Sequence, residues 1–135
     1  MGAGRADVDA FFAEYAAALA GALTTGTAEA ATSYYGFPAL AVRDEASWAY
    51  DDADALVRDL DALRQQAEAA GVVDIAVDVT TVEPLTQALT TVDADWDFTD
   101  ADGAIILEQG WRYVVQRTSA GPRIRFVAAR TRAGD

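Results

Sequence analysis

Whatever chemistry this chain performs has to come from carboxylates, tyrosines and tryptophans, because its 135 residues include no histidine and no cysteine and its ten basic residues are all arginine. The missing histidine removes the commonest general base and the commonest zinc ligand. Without cysteine there is neither a disulfide framework nor a thiolate metal site, and without lysine no Schiff base can form. The acids that remain are grouped. Asp93, Asp95 and Asp97 alternate along one segment, and Asp100, Asp102 and Gly103 imitate part of a calcium loop with the glycine at its sixth position. In that frame the first and twelfth positions are Phe98 and Gln109, neither of them a carboxylate. A hairpin turn accounts for the same residues, so no metal is expected, and no motif implies a cofactor.

The second chemical set is aromatic: Tyr15, Tyr35 and Phe37 early in the chain, Trp48 and Tyr50 after them, and Trp96, Trp111 and Tyr113 late. A buried phenol or indole needs a partner for its polar tip. So many polar-tipped rings together predict a partly hydrated pocket in place of a dry core. Gln109 would project beside Trp111 and offer an amide, with Glu108 its outward neighbour. A strand bulge near Gly110 would exchange the two, and a Glu108 desolvated among tryptophans would become a candidate acid or base.

These groups have to be positioned by a meander of Thr90 to Phe98, Ile105 to Arg117 and Ile124 to Thr131, joined by the turn chemistry of Asp100 to Gly103 and Ser119 to Pro122. Strand alternation puts Val92, Ala94, Trp96 and Phe98 on one face and the aspartates on the other. Trp111, Tyr113 and Val115 join the apolar face, and so do Ile124, Phe126 and Ala128. The opposite face pairs the aspartates with Arg112, Arg123 and Arg125, and is expected to be a solvated ion-pair surface or a subunit contact.

Upstream, Val8, Phe11, Phe12, Tyr15, Leu19, Ala22 and Leu23 recur at helical spacing from Asp7 to Leu23. Thr27 can cap a second helix to about Tyr35. Ala39 to Val42 and Ala46 to Tyr50 read as a small hairpin about Arg43-Asp44-Glu45. Asp51 or Asp52 then caps the longest helix, whose stripe is Ala53, Leu56, Val57, Leu60, Leu63, Ala67 and Ala70. Asp54 and Arg58 form an outer i, i+4 pair, and Gly71 stops the helix. Val73 to Thr80 is a fourth long strand, broken by Glu83-Pro84. Helices gathered on one face of an antiparallel sheet make an α+β fold, and 135 residues at 14.3 kDa make one domain, 1–135.

A net charge of −12 and a pI near 4.1 leave no basic face for phosphates and exclude nucleic acid as a partner. No apolar run is long enough to span a membrane, and Met1 to Asp7 lacks a signal-peptide core, so a cytoplasmic protein is expected.

The element order, the Ala101-Asp102-Gly103 turn, the strand ending Tyr113-Val114-Val115-Gln116-Arg117 and the closing Arg123-Ile124 together resemble the nuclear-transport-factor-2-like superfamily, most closely its small bacterial, polyketide-cyclase-like members. The resemblance covers nearly the whole chain. It implies a cone-shaped curved antiparallel sheet packed on three N-terminal helices, an open end able to hold an apolar molecule, and a homodimer. Its ketosteroid isomerases use a first-helix tyrosine, matched here by Tyr15, and an aspartate near the first hairpin, where Asp44 is the nearest carboxylate. The histidine of its dehydratases is absent.

Three functions follow as expectations. The first is a cone domain without a catalytic constellation that holds a small apolar or aromatic molecule beneath Trp48, Trp96, Trp111 and Tyr113. The second is an isomerase, dehydratase or cyclase using Tyr15 with Asp44 or Glu108. The third is a purely structural dimeric module. A carboxylate projecting into the cone would discriminate among them.

Overall fold

In the computed structural model, which describes residues 4–26 and 28–132, three helices lie on one face of a curved six-stranded sheet. Helix α1 (Arg5–Thr24) buries every member of its predicted stripe, from Val8 to Leu23. It ends where the Thr24 and Thr25 hydroxyls donate to the carbonyls of Ala20 and Gly21. Helix α2 (Ala28–Thr32) is one turn long; its expected cap, Thr27, lies outside the described residues. Helix α3 (Ala53–Ala70) starts at Asp52, whose carboxylate accepts the Ala55 N–H at 2.9 Å, and stops at Gly71, which takes the left-handed φ of 86° that glycine alone adopts without strain. At 18 residues it is shorter than α1 at 20, so the expected longest helix is the second longest. The predicted Asp54–Arg58 pair does not form, and Arg64 with Glu68 at 3.4 Å is the helix's i, i+4 pair.

The strands are β1 (Tyr35–Val42), β2 (Ser47–Tyr50), β3 (Asp74–Pro84), β4 (Leu89–Thr99), β5 (Ile105–Thr118) and β6 (Gly121–Ala129), in the spatial order β2-β1-β6-β5-β4-β3. All neighbours are antiparallel except β1 and β6, whose parallel pairing joins the small hairpin to the meander. That junction overrides the local reading of residues 33–38. Tyr35, expected at the end of a helix, opens β1 instead because its backbone pairs with Ile124.

Register fixes the faces as alternation predicts through β4 and the inner half of β5. Val92 stands opposite Tyr113, Ala94 opposite Trp111 and Trp96 opposite Gln109. Trp96 is only 1% exposed, against the helices. Past the second hairpin the prediction fails. An irregularity between Val114 and Val115 places Ile124 inward but turns Phe126 and Ala128 outward, with Val127 packed on the core in their stead. The extra residue accommodates β6 to β1, where Phe126 pairs with Leu40 and Val127 with Ala41.

On the outer face Arg112 makes a two-pronged contact with Asp93 at 2.7 and 3.0 Å. The other expected arginines do not meet the aspartates. Arg123 donates to the Ala120 and Pro122 carbonyls, and Arg125 to the Pro38 carbonyl and to Gln116. Arg130 and Arg132, from the segment after β6, reach Asp95 and Asp97. Gly110 lets that segment cross, since a Cβ there would lie 2.6 Å from the Arg130 carbonyl oxygen. Among the described residues no helix is long and apolar enough to cross a membrane, and no group of three acids stands close enough to hold a metal ion.

Candidate functional site

The concave face of the sheet, α1 and α3 enclose a cavity of about 80 Å³. That is room for a few waters or the small end of a ligand. Outside it, between α3 and the edge carrying Trp48 and Gln109, opens a mouth of about 440 Å³, within the size range of small-molecule sites. Cavity and mouth share a throat of Arg43, Trp48, Asp59, Leu63, Phe98 and Gln109.

At the closed end three tyrosines, Tyr15, Tyr35 and Tyr113, stand under helical cover. Tyr15 comes from α1, one residue of the buried stripe, and its hydroxyl lies 2.6 Å from that of Tyr35 on β1. Burial pushes the phenols of Tyr15, Tyr35 and Tyr113 well above their ordinary range, so all three are neutral hydroxyls at physiological pH. Trp96 meets Tyr15 edge to face at 5.8 Å. Its indole N–H is buried and makes no hydrogen bond of normal geometry, even with the adjacent Tyr113 hydroxyl.

Nearer the throat, Tyr50 donates to the carboxylate of Asp59. Burial, and then this hydrogen bond, raise the Tyr50 phenol. Trp111 donates its indole N–H to the Gln109 side-chain oxygen at 3.0 Å. The Arg43 guanidinium lies over two indoles, 4.9 Å from the ring centre of Trp111 and 5.7 Å from that of Trp48. Neither Arg43 nor Asp59 has an ion-pair partner among the described residues.

Of the residues singled out in the sequence, Tyr15, Tyr35, Trp48, Tyr50, Trp96, Gln109, Trp111 and Tyr113 all line the cavity. Phe37 does not; it stacks on Tyr35, with centroids 6.4 Å apart. Asp44 sits exposed on the β1–β2 turn beside a shallow depression shared with Trp111. Glu108 pairs with Asp97 in register, faces outward and lies 3.4 Å from Arg132. The two acids proposed for proton transfer therefore stand outside the cavity, and the acid in its lining is Asp59, which the sequence reading passed over. A signal for Asp59 was present. At 3.6 residues per turn its direction lies only about 20° from that of Ala70, at the border of the α3 stripe. Arg43 was read as a turn residue, and nothing local announces its place between two indoles.

A second cavity, of about 340 Å³, opens at the opposite end of β4 and β5 over Phe11 and Phe12, and holds none of the candidate residues.

A family model described as NTF2-like protein (DUF6841) matches residues 6–132. No curated protein matches the sequence. Among solved structures, an NTF2-like protein with a cystatin-like fold from Novosphingobium aromaticivorans superposes with a TM-score of 0.70 at 16% identity, over 97% of this chain and 83% of that one. A cystatin-like protein of unknown function from Nostoc punctiforme gives 0.70 at 8% identity, over 99% and 97%. The β subunit of benzoate 1,2-dioxygenase from Burkholderia mallei gives 0.67 at 17% identity, over 96% and 91%. At these identities the likeness is one of fold.

Proposed function

Since the chain belongs to the NTF2-like family whose model spans residues 6–132, a family whose fold carries many unrelated activities, we propose from the site alone that this domain binds a small molecule with an apolar or aromatic body. The molecule enters by the mouth, rests its body between Trp48, Trp111 and Leu63, and turns an oxygen acceptor toward the closed end. One observation carries this reading: the Trp96 N–H is buried in the cavity lining and, among the described residues, makes no hydrogen bond of normal geometry. A desolvated donor left unpaired costs about 1–3 kcal/mol, and a ligand oxygen or a water held for it would recover that.

Saturable binding of 4-propylphenol, a neutral probe with one ring and one hydroxyl, tests the reading by calorimetry. Trp111→Ala should weaken it about tenfold, the order expected for loss of a central aromatic contact, with the circular dichroism spectrum unchanged. Absence of saturable binding, or binding indifferent to Trp111→Ala, would remove the proposal. The accompanying homodimer is supported by the outer face, where Leu40, 42% exposed, stands in register with Phe126. Sedimentation of a monomer at micromolar concentration would exclude it.

A further inference from the structure

The throat holds two charged groups of opposite sign that ignore each other, and the way each is satisfied points to the charge of the guest. Asp59 projects from α3 into the junction of cavity and mouth and accepts one hydrogen bond, from Tyr50. A carboxylate can accept several, and among the described residues no guanidinium lies within ion-pair range of this one. Arg43, in the same lining, spends its charge on the faces of Trp48 and Trp111. An aromatic slot with a carboxylate beside it is a receptor for organic cations, because ring quadrupoles attract positive charge most strongly where water is excluded. The slot is already demonstrated to hold a cation, since the chain's own guanidinium sits in it. Glu45 is the other acid of the mouth, and the chain's net charge of −12 raises the local concentration of cations around it.

Resting on the binding function proposed above, we infer that the ligand is a small amine or quaternary ammonium compound. Its positive group is held at the throat by Asp59 and the indoles of Trp48 and Trp111, and its uncharged, oxygen-bearing end faces Trp96. Arg43 is then the occupant that the ligand displaces.

A matched series of probes tests the inference: tyramine, the neutral 4-propylphenol and the anionic 3-(4-hydroxyphenyl)propanoate share one ring and one hydroxyl and differ in the charge of the tail. Tyramine is expected to bind about tenfold more tightly than 4-propylphenol, the anion more weakly than either. Asp59→Asn should abolish the tyramine preference, bringing the ratio of the tyramine and 4-propylphenol affinities to within about a factor of two of unity. Arg43→Met, which vacates the slot, should tighten tyramine. If tyramine and 4-propylphenol bind alike, the cation inference fails while the binding function stands. If the anion binds best and Arg43→Met destroys that binding, Arg43 sets the class and the inference is overturned. If 4-propylphenol does not bind saturably, the binding function itself fails and takes this inference with it. A thermal melt of each variant separates loss of affinity from loss of fold.

Discussion

The eleven residues of β4 present two surfaces that solve the same problem in opposite ways. Outward, Asp93, Asp95 and Asp97 are each matched to an arginine, Arg112, Arg130 and Arg132, the last two delivered by the segment that follows β6. Inward, Val92, Ala94, Trp96 and Phe98 are packed under the helices, and the polar groups around them are short of partners: an indole N–H with none, a carboxylate with one hydroxyl. Charge is abundant on the outside and compensated. On the inside it is scarce, and the Asp59 carboxylate has no counter-ion among the described residues. A ligand is recognised by groups whose hydrogen-bonding capacity the fold has left open, which is why the proposed function is placed on the concave face even though the convex face has more of the chemistry a sequence search would flag.

That contrast is most easily broken at Trp96. Trp96→Ala removes the largest fully buried side chain of the inner wall and should cost about 3–5 kcal/mol, read from the urea midpoint at pH 7. A loss below about 1 kcal/mol would mean that the concave face is not the core, and the division of labour between the faces would go with it. Tyr15→Phe is the gentler cut. It leaves the Tyr35 hydroxyl without its 2.6 Å partner under 8% exposure, and should cost about 2 kcal/mol without disturbing the packing. The alkaline limb sharpens the same point. Tyr15, Tyr35, Tyr50 and Tyr113 all have folded values raised by burial, so their contribution to stability is complete below the unfolded tyrosine value of about 10 and is lost as pH rises beyond it. Phenolate absorbance should therefore appear together with unfolding. Formation of more than one phenolate among the chain's five tyrosines before unfolding would show that these four are not sealed.

How far the sequence exposes this arrangement can be judged residue by residue. The two faces of β4 follow from strict alternation with a period of two, whereas the pairing of Trp96 with Gln109 depends on the irregularity between Phe98 and Thr99, which the turn residues do not announce. The swap of Phe126 for Val127 does not follow, since its cause is the parallel docking of β6 on β1, nearly ninety positions away along the chain, and no nearby residue encodes it. Tyr35 fell into a predicted helix for the same reason. Asp59 was legible on a helical wheel, at the border of the α3 stripe, but was passed over. Arg130 was read inside the strand Ile124 to Thr131, and the place of Arg130 and Arg132 over the acid ladder depends on the close crossing at Gly110.

The smallest effect belongs to the outer face, where formal charge is greatest. Asp93 is 8% exposed and receives two hydrogen bonds from Arg112, which together with the charges of Arg112 and Arg130 hold its carboxyl below the usual aspartate range. Arg112, however, has a side chain 54% exposed, so solvent screens much of the attraction. Asp93→Asn should accordingly cost about 1 kcal/mol at pH 7, less than either inner substitution. The sign with pH is fixed by the depressed folded value. The stabilisation is whole above the unfolded aspartate value of about 3.9 and disappears as pH falls through the lower folded one, so wild type and variant should converge in strong acid. Raising the salt to 1 M, where the screening length is about 3 Å, should shrink the difference at pH 7 as well. A penalty that survives both acid and salt would belong to packing of the side chain, and the outer ladder would then be a second core in place of a compensated surface.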